Sequence, residues 1–210
     1  MDVFKHYLLH DRLLIRFMAL LGIVVVIFVG VWALSYLFLP EGILRGRSLG
    51  QIVAGNDLAA NSILVEWLRI FAINLGVMLL VVIAPNVVRT KHDYPYGYIT
   101  VAIQPIIYAV LLGTDSFTLS QGGKMPPSLA VLERPGPYEI AAYILAATAT
   151  HSIAKYRLKG RWPKQTSEVI VSDHTFRLAR EQWIGLVLAI AILLVSNAWE
   201  AYRIMLYFAE

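Results

Sequence analysis

Five stretches of this chain are too apolar to lie exposed in water: residues 13–39, 63–88, 98–112, 138–154 and 183–208. A helix needs about 20 mostly apolar residues to cross a hydrocarbon core about 30 Å thick. The first, second and fifth runs reach that length, and the third and fourth fall short of it. In lipid every backbone N–H and C=O has to be satisfied within the structure, which leaves helices or closed barrels. The runs lack the period-two alternation of barrel strands. The expected fold class is therefore all-α: a single polytopic helical membrane bundle over residues 1–210, with about five transmembrane helices.

Charge supports this and orients it. Only 15% of the residues are charged and 58% are hydrophobic, with a mean hydropathy of +0.64. A soluble domain carries about 25% charged residues. The chain has no cysteine, which excludes disulfides and thiolate chemistry. In a soluble protein the net charge of +4 would suggest a nucleic-acid partner. Here the basic residues sort by side instead. With the N-terminus in the cytoplasm, twelve Lys and Arg fall in inner segments (Lys5, Arg12, Arg16, Arg89, Lys91 and seven between Lys155 and Arg180). Four fall in outer ones: Arg45, Arg47, Lys124 and Arg134. That bias predicts the N-terminus inside and the C-terminus outside, and no nucleic acid is needed to explain the charge. The first run is too long for a signal-peptide core and no small-residue cleavage site follows it, so it reads as an uncleaved signal anchor.

Residues 1–12 form a short amphipathic lead along the inner surface, and 41–61 a turn-rich outer loop. Gln104-Pro105 predicts a kink in the third span, with a re-entrant segment as the alternative. Residues 127–133 form a weakly amphipathic stretch in the second outer loop. The fourth run places Ala142, Ala146 and Ala149 on one face, the pattern of a helix packed closely by its neighbours. Residues 155–182 are a basic cytoplasmic segment between the fourth and fifth spans. Lys155, Arg157, Lys159 and Arg161 recur there at every second position, suited to an anionic lipid surface or a cytoplasmic partner. Ser172 or Asp173 is expected to cap a helix over 175–182 that runs into the fifth span.

Ionisable groups at mid-bilayer cost at least about 2.5 kcal/mol, so each needs a reason. The predicted topology gathers Glu66, Arg69, Glu139, Glu200 and Arg203 in the outer half of the bundle, with Asn74 and Asn197 near mid-membrane. Glu66 and Arg69, and likewise Glu200 and Arg203, are three apart and suited to local ion pairs. The other use of such a cluster is a polar cavity open to the outer side, for a headgroup, a small solute or protons. His151 is expected to be structural. No catalytic constellation, metal-ligand spacing or cofactor motif is present in the sequence, so no catalytic residue, metal or cofactor is assigned.

Arg134-Pro135-Gly136-Pro137-Tyr138-Glu139, opening a helix of small residues, resembles the Pro-His-Gly-x-x-Glu motif of the stage II sporulation protein M family. Gly136 and Glu139 match the motif, while Arg134 and Pro135 stand where that family has Pro and His. Ile70-Phe71-Ala72-Ile73-Asn74 is similar to that family's apolar run ending in Asn. The resemblance implies a multi-span membrane protein acting within a larger assembly. The family's sporulation member works beside peptidoglycan-degrading partners.

The leading functional expectation is accordingly a non-enzymatic membrane subunit or scaffold. Its partners would be the lipid bilayer and other membrane or cytoplasmic subunits, a homodimer being one such arrangement. The alternative is a permease-like transport subunit coupled to a separate ATPase, using the outer polar cluster. A third reading is an intramembrane enzyme acting on lipid or envelope material through a carboxylate such as Glu139.

Overall fold

The computed structural model describes residues 2–47, 62–117, 122–161, 164–170 and 178–209. A short helix α1 (Asp2–Leu8) leads into α2 (Leu13–Phe38). Helix α3 (Ile63–Val77) widens into a π-helical turn at Met78–Ile83 and tightens to a 3-10 turn at Ala84–Val87 around Pro85. Then come β1 (Val88–Arg89), α4 (Tyr96–Thr100), α5 (Ile103–Thr114), α6 (Gly136–Ala149), β2 (Tyr156–Arg161), β3 (Lys164–Val169) and α7 (Arg180–Ala209).

Four helical stretches are long and apolar enough to cross a membrane: Leu13–Phe38, Ile63–Val87, Tyr96–Thr114 and Arg180–Tyr207. Their outer faces carry large apolar side chains to the surface, with Val26 73% and Leu80 74% exposed. Such breadth of exposed apolar surface suits hydrocarbon and not water. The fourth run of the sequence forms α6, whose 14 residues span only about 21 Å at 1.5 Å per residue. It is the buried centre of the bundle: Ala142, Tyr143, Ile144, Ala146, Ala147, Thr148 and Ala149 are all sealed from solvent. Its alanines let α7, α2 and the π turn approach.

The third run is interrupted, but not at its proline. The chain turns at Val101–Ala102 and restarts as α5, so Pro105 falls in the first turn of the new helix, where its missing N–H costs nothing. The amphipathic stretch 127–133 includes a 3-10 turn, Leu129–Glu133. It buries Val131 beside Trp32, whose indole Nε1 donates to the Met125 carbonyl at 2.7 Å.

The all-α expectation needs one correction. The basic segment begins as a β-hairpin, and the alternation of Lys155, Arg157, Lys159 and Arg161 is the two-residue period of strand β2. A template induces it. The Lys155 N–H donates to the Val87 carbonyl at 2.8 Å, and β2 continues parallel to β1 with Val88 opposite Tyr156. Strand β3 pairs antiparallel on the other side, giving a sheet of order β1-β2-β3. The proposed caps Ser172 and Asp173 lie outside the described residues. Helix α7 starts at Arg180, later than the expected 175, and Gln182 Oε1 accepts from the Ala179 N–H at 2.8 Å.

The helix ends collect at two poles. At the hairpin pole the Leu13 N–H meets Glu181 Oε1 at 2.6 Å and Ser152 meets Gln182 at 3.2 Å. At the opposite pole the Gly42 N–H meets the Thr114 carbonyl at 2.6 Å, and Lys124 Nζ meets the Leu39 carbonyl at 2.9 Å. Arg45 Nη2 donates to the carbonyl of Asp115 at 2.7 Å, and Asp115 takes the left-handed conformation with φ 46°.

Asn86 is the fastening at the hairpin pole. Its Nδ2 donates to the Ala147 carbonyl and to Thr150 Oγ1, both at 2.8 Å, and its Oδ1 accepts the Gly97 N–H at 2.9 Å. A Cβ at position 97 would collide with the Asn86 amide and the Val82 carbonyl. Gly97→Ala is therefore expected to destabilise the fold by about 1–3 kcal/mol, the usual cost of overpacking. A lower thermal unfolding midpoint in detergent checks this; an unchanged midpoint would mean that α4 shifts without strain.

Candidate functional site

Ser62 Oγ accepts the Val65 N–H at 3.3 Å and caps α3, which sets Glu66 in the first turn. A carboxylate there faces the positive end of the helix. Glu66 is buried at 1% exposure and accepts from Arg69 Nη2 at 2.7 Å, so this i,i+3 pair forms as expected. Further along α3, Asn74 reaches across the bundle. Its Nδ2 donates to Asn197 Oδ1 of α7 at 2.9 Å and to Glu139 Oε1 of α6 at 3.3 Å. One amide thus ties three helices together.

Glu139 and Glu200 face each other at hydrogen-bonding range, and Glu66 lies within electrostatic reach of Glu200. Tyr143, one turn beyond Glu139, borders both carboxyls. Tyr108 of α5 lies within electrostatic reach of both carboxyls and packs against the start of α6. A Cβ at Gly136 would come within 2.7 Å of the Tyr108 ring, so close approach explains that glycine. Arg203 is not part of the cluster. Its Nη1 donates to the Glu133 carbonyl at 2.9 Å from an exposed position, and the expected Glu200–Arg203 pair is replaced by the Glu200–Glu139 contact. The structure therefore brings Glu66, Arg69, Asn74, Glu139, Asn197 and Glu200 together and leaves Arg203 at the rim.

Chemically, this is a hydrogen-bonded seam whose two facing carboxyls attract a proton or a cation, since like charges at such range repel. Asn197 Nδ2 is buried there without an acceptor. Among the described residues no cluster of three His, Cys, Asp or Glu has metal-binding geometry. Cavities of about 530 and 420 Å³ lie along α1 at the hairpin pole, away from this seam.

The basic patch is largely committed within the chain. Arg157 Nη2 pairs with Asp93 at 2.6 Å and Lys159 Nζ with Glu168 at 2.6 Å, a contact that holds the Glu168 carboxyl below the usual carboxylate range. Lys155 supplies the backbone link to Val87, and the side chain of Arg161 lies outside the described part. Asp93, at φ 72°, also meets Lys5 at 3.5 Å and so joins α1, the 89–97 turn and the hairpin.

Sequence reasoning missed a second polar centre, at the hairpin pole, formed by Asn86, Arg16, Arg89 and Tyr98 around His151. Arg16 was visible as a charge inside the first apolar run, but it reads there as an ordinary inner-side cation. Comparison of the chain with protein-family models, curated proteins and solved structures returns no match in any of the three.

Replacing Asn74 by Leu removes the donor to both Glu139 and Asn197. It is expected to cost about 1–3 kcal/mol, because buried acceptors lose their partner. Arg203→Ala, at the exposed rim, is expected to stay within about 0.5 kcal/mol of wild type. Thermal unfolding of both variants in the same detergent checks the contrast; equal midpoints would mean that the seam contributes no stability.

Proposed function

We propose that the chain is a non-enzymatic multi-pass membrane subunit that holds a larger complex together, as its resemblance to the stage II sporulation protein M family implies. It crosses the bilayer five times, with α6 as the short fourth pass and the hairpin pole in the cytoplasm. Two features support this topology: the alternation of helix ends between the poles and the twelve-to-four bias of basic residues. A short pass is tolerable where the helix is wrapped by protein instead of lipid.

The observation that carries the subunit reading is the hairpin, a sheet whose β3 edge pairs with no further strand among the described residues. Ile170 N–H donates to the Lys155 carbonyl, so in the antiparallel register Arg157/Glu168 and Lys159/Thr166 are the hydrogen-bonded pairs. The backbone groups of Ser167 and Val169 therefore turn outward, away from β2. Such an edge accepts a further strand from a partner. Ser167→Pro removes one outward N–H and leaves the β2 ladder intact, whereas Thr166→Pro breaks that ladder. Affinity capture from the native membrane is expected to bring stoichiometric partner chains with the wild type and to lose them with Ser167→Pro. A wild-type chain recovered alone would count against the reading.

Transport is the second reading, and the Glu139–Glu200 contact is what favours it. Replacing Glu200 by Ala would then abolish solute or proton movement in vesicles, and unaffected movement would exclude it.

The topology has its own test. The absence of native cysteine makes single-cysteine variants clean reporters. Cysteines placed at Asp2 and Tyr207 are expected to react with a membrane-impermeant maleimide from opposite sides. Labelling from the same side would remove one pass.

A further inference from the structure

At the hairpin pole two guanidinium groups, Arg16 and Arg89, lie near the same tyrosine and histidine, and among the described residues neither has a carboxylate in ion-pair range. Arg16, in the first turn of α2, is 1% exposed. Its Nη1 donates to the carbonyls of His10 and Asp11, and its Nε is buried with no acceptor. Arg89 of β1 likewise buries an unpartnered Nε. Tyr98 of α4, 6% exposed, lies beside both arginines, with its hydroxyl buried against the Arg16 guanidinium and no other partner. His151 neighbours the same two arginines. Among the described residues neither Arg16 nor Arg89 forms an ion pair. The nearest carboxylates electrostatically, Glu181 and Asp11, are both exposed, and Glu181 Oε1 is occupied by the Leu13 N–H.

The histidine tautomer follows from its neighbours. Gln182 Oε1 accepts the Ala179 N–H, which only donates, so the Gln182 amide is oriented with Nε2 as donor. That Nε2 lies 3.2 Å from His151 Nδ1, which therefore accepts, and the imidazole proton sits on Nε2. The centre thus offers two guanidinium edges, a phenol O–H and an imidazole N–H. All are donors, from α2, β1, α4 and the turn after α6. Buried donors and charges left in this state are costly unless an anion completes them.

We propose that Arg16, Arg89, Tyr98 and His151 bind a phosphomonoester group at the hairpin pole. A phosphomonoester carries about −1.5 to −2 charge and three acceptor oxygens, which matches two cations and the surrounding donors. The Nε edge of a guanidinium takes two oxygens at once. A carboxylate balances only one of the two charges. The phosphate can arrive on a lipid headgroup, at the level where helices α2 and α4 leave the bilayer, or as a free anion from the aqueous side. The proposal stands independently of the subunit reading.

The test uses the full chain, delipidated in detergent. Two probes are titrated, inorganic phosphate and mixed micelles containing phosphatidic acid, with phosphatidylcholine micelles as the diester control. Binding of phosphatidic acid alone identifies a lipid source, and binding of inorganic phosphate as well identifies a free anion. Phosphatidylcholine is expected not to bind. Arg89→Gln is expected to weaken binding about tenfold or more and Tyr98→Phe about three- to tenfold, given the strength of charge-assisted and neutral hydrogen bonds. Arg203→Ala, at the other pole, is expected to bind like the wild type. If Arg89→Gln fails to fold, Tyr98→Phe decides alone. No binding of either probe by the wild type, or unchanged affinity in the folded variants, overturns the assignment.

Discussion

Inside hydrocarbon a backbone group has no water to fall back on, and the breaks in this bundle are arranged around that constraint. The chain interrupts its helices at the π turn Met78–Ile83, at Val101–Ala102 and at the end of α6. Each interruption frees carbonyls or N–H groups. Asn86 answers one of them directly, giving to the Ala147 carbonyl at the end of α6, and it also takes the Gly97 N–H in the first turn of α4. Thr148 and Thr150 turn their hydroxyls back onto the carbonyls of Ile144 and Ala146 at 2.9 and 2.7 Å. Without these side chains, the helix ends that meet beneath the hairpin could not be buried together.

That arrangement explains why α6 can be both short and central. Its ends need not reach water, because neighbouring elements receive them: the Asn86 region at one end, and Tyr108 with the 3-10 turn Leu129–Glu133 at the other. The small residues along its length bring α7 close enough for Glu139 to meet Glu200 and for Asn74 to bridge to Asn197. The polar seam is thus a consequence of close packing as much as a site in its own right. Its hydrogen bonds hold α3, α6 and α7 in one register, which van der Waals contact between apolar faces would specify poorly.

The two poles are built on different chemistry. The pole away from the hairpin is closed by the Arg45–Asp115 contact and by backbone bonds between the loops after α2 and α5. The hairpin pole concentrates positive charge. Part of it is neutralised by Asp93 and Glu168, while Arg16 and the Nε of Arg89 are buried without a carboxylate partner among the described residues. The hairpin that extends this pole is anchored on β1 by backbone pairing and tied to α1 and the 89–97 turn through Asp93.

Helical character, apolar exterior and the small-residue face of α6 were all legible in the chain, because each is a local property of spacing and composition. So was the Glu66–Arg69 pair, which one helix turn determines. The strand period of Lys155, Arg157 and Lys159 was present in the sequence too, yet only the exposed edge at Val87–Arg89 converts it into a sheet, and that edge arrives from a distant segment. The partners of Glu200 and Arg203 were likewise undecided by their shared helix face. Close approach of α6 drew Glu200 to Glu139 and left Arg203 to the Glu133 carbonyl. Sequence alone determined which residues seek lipid and which resist it. Tertiary structure decided which of the resisting groups meet, because in a low-dielectric interior each polar group takes the partner that packing brings within reach.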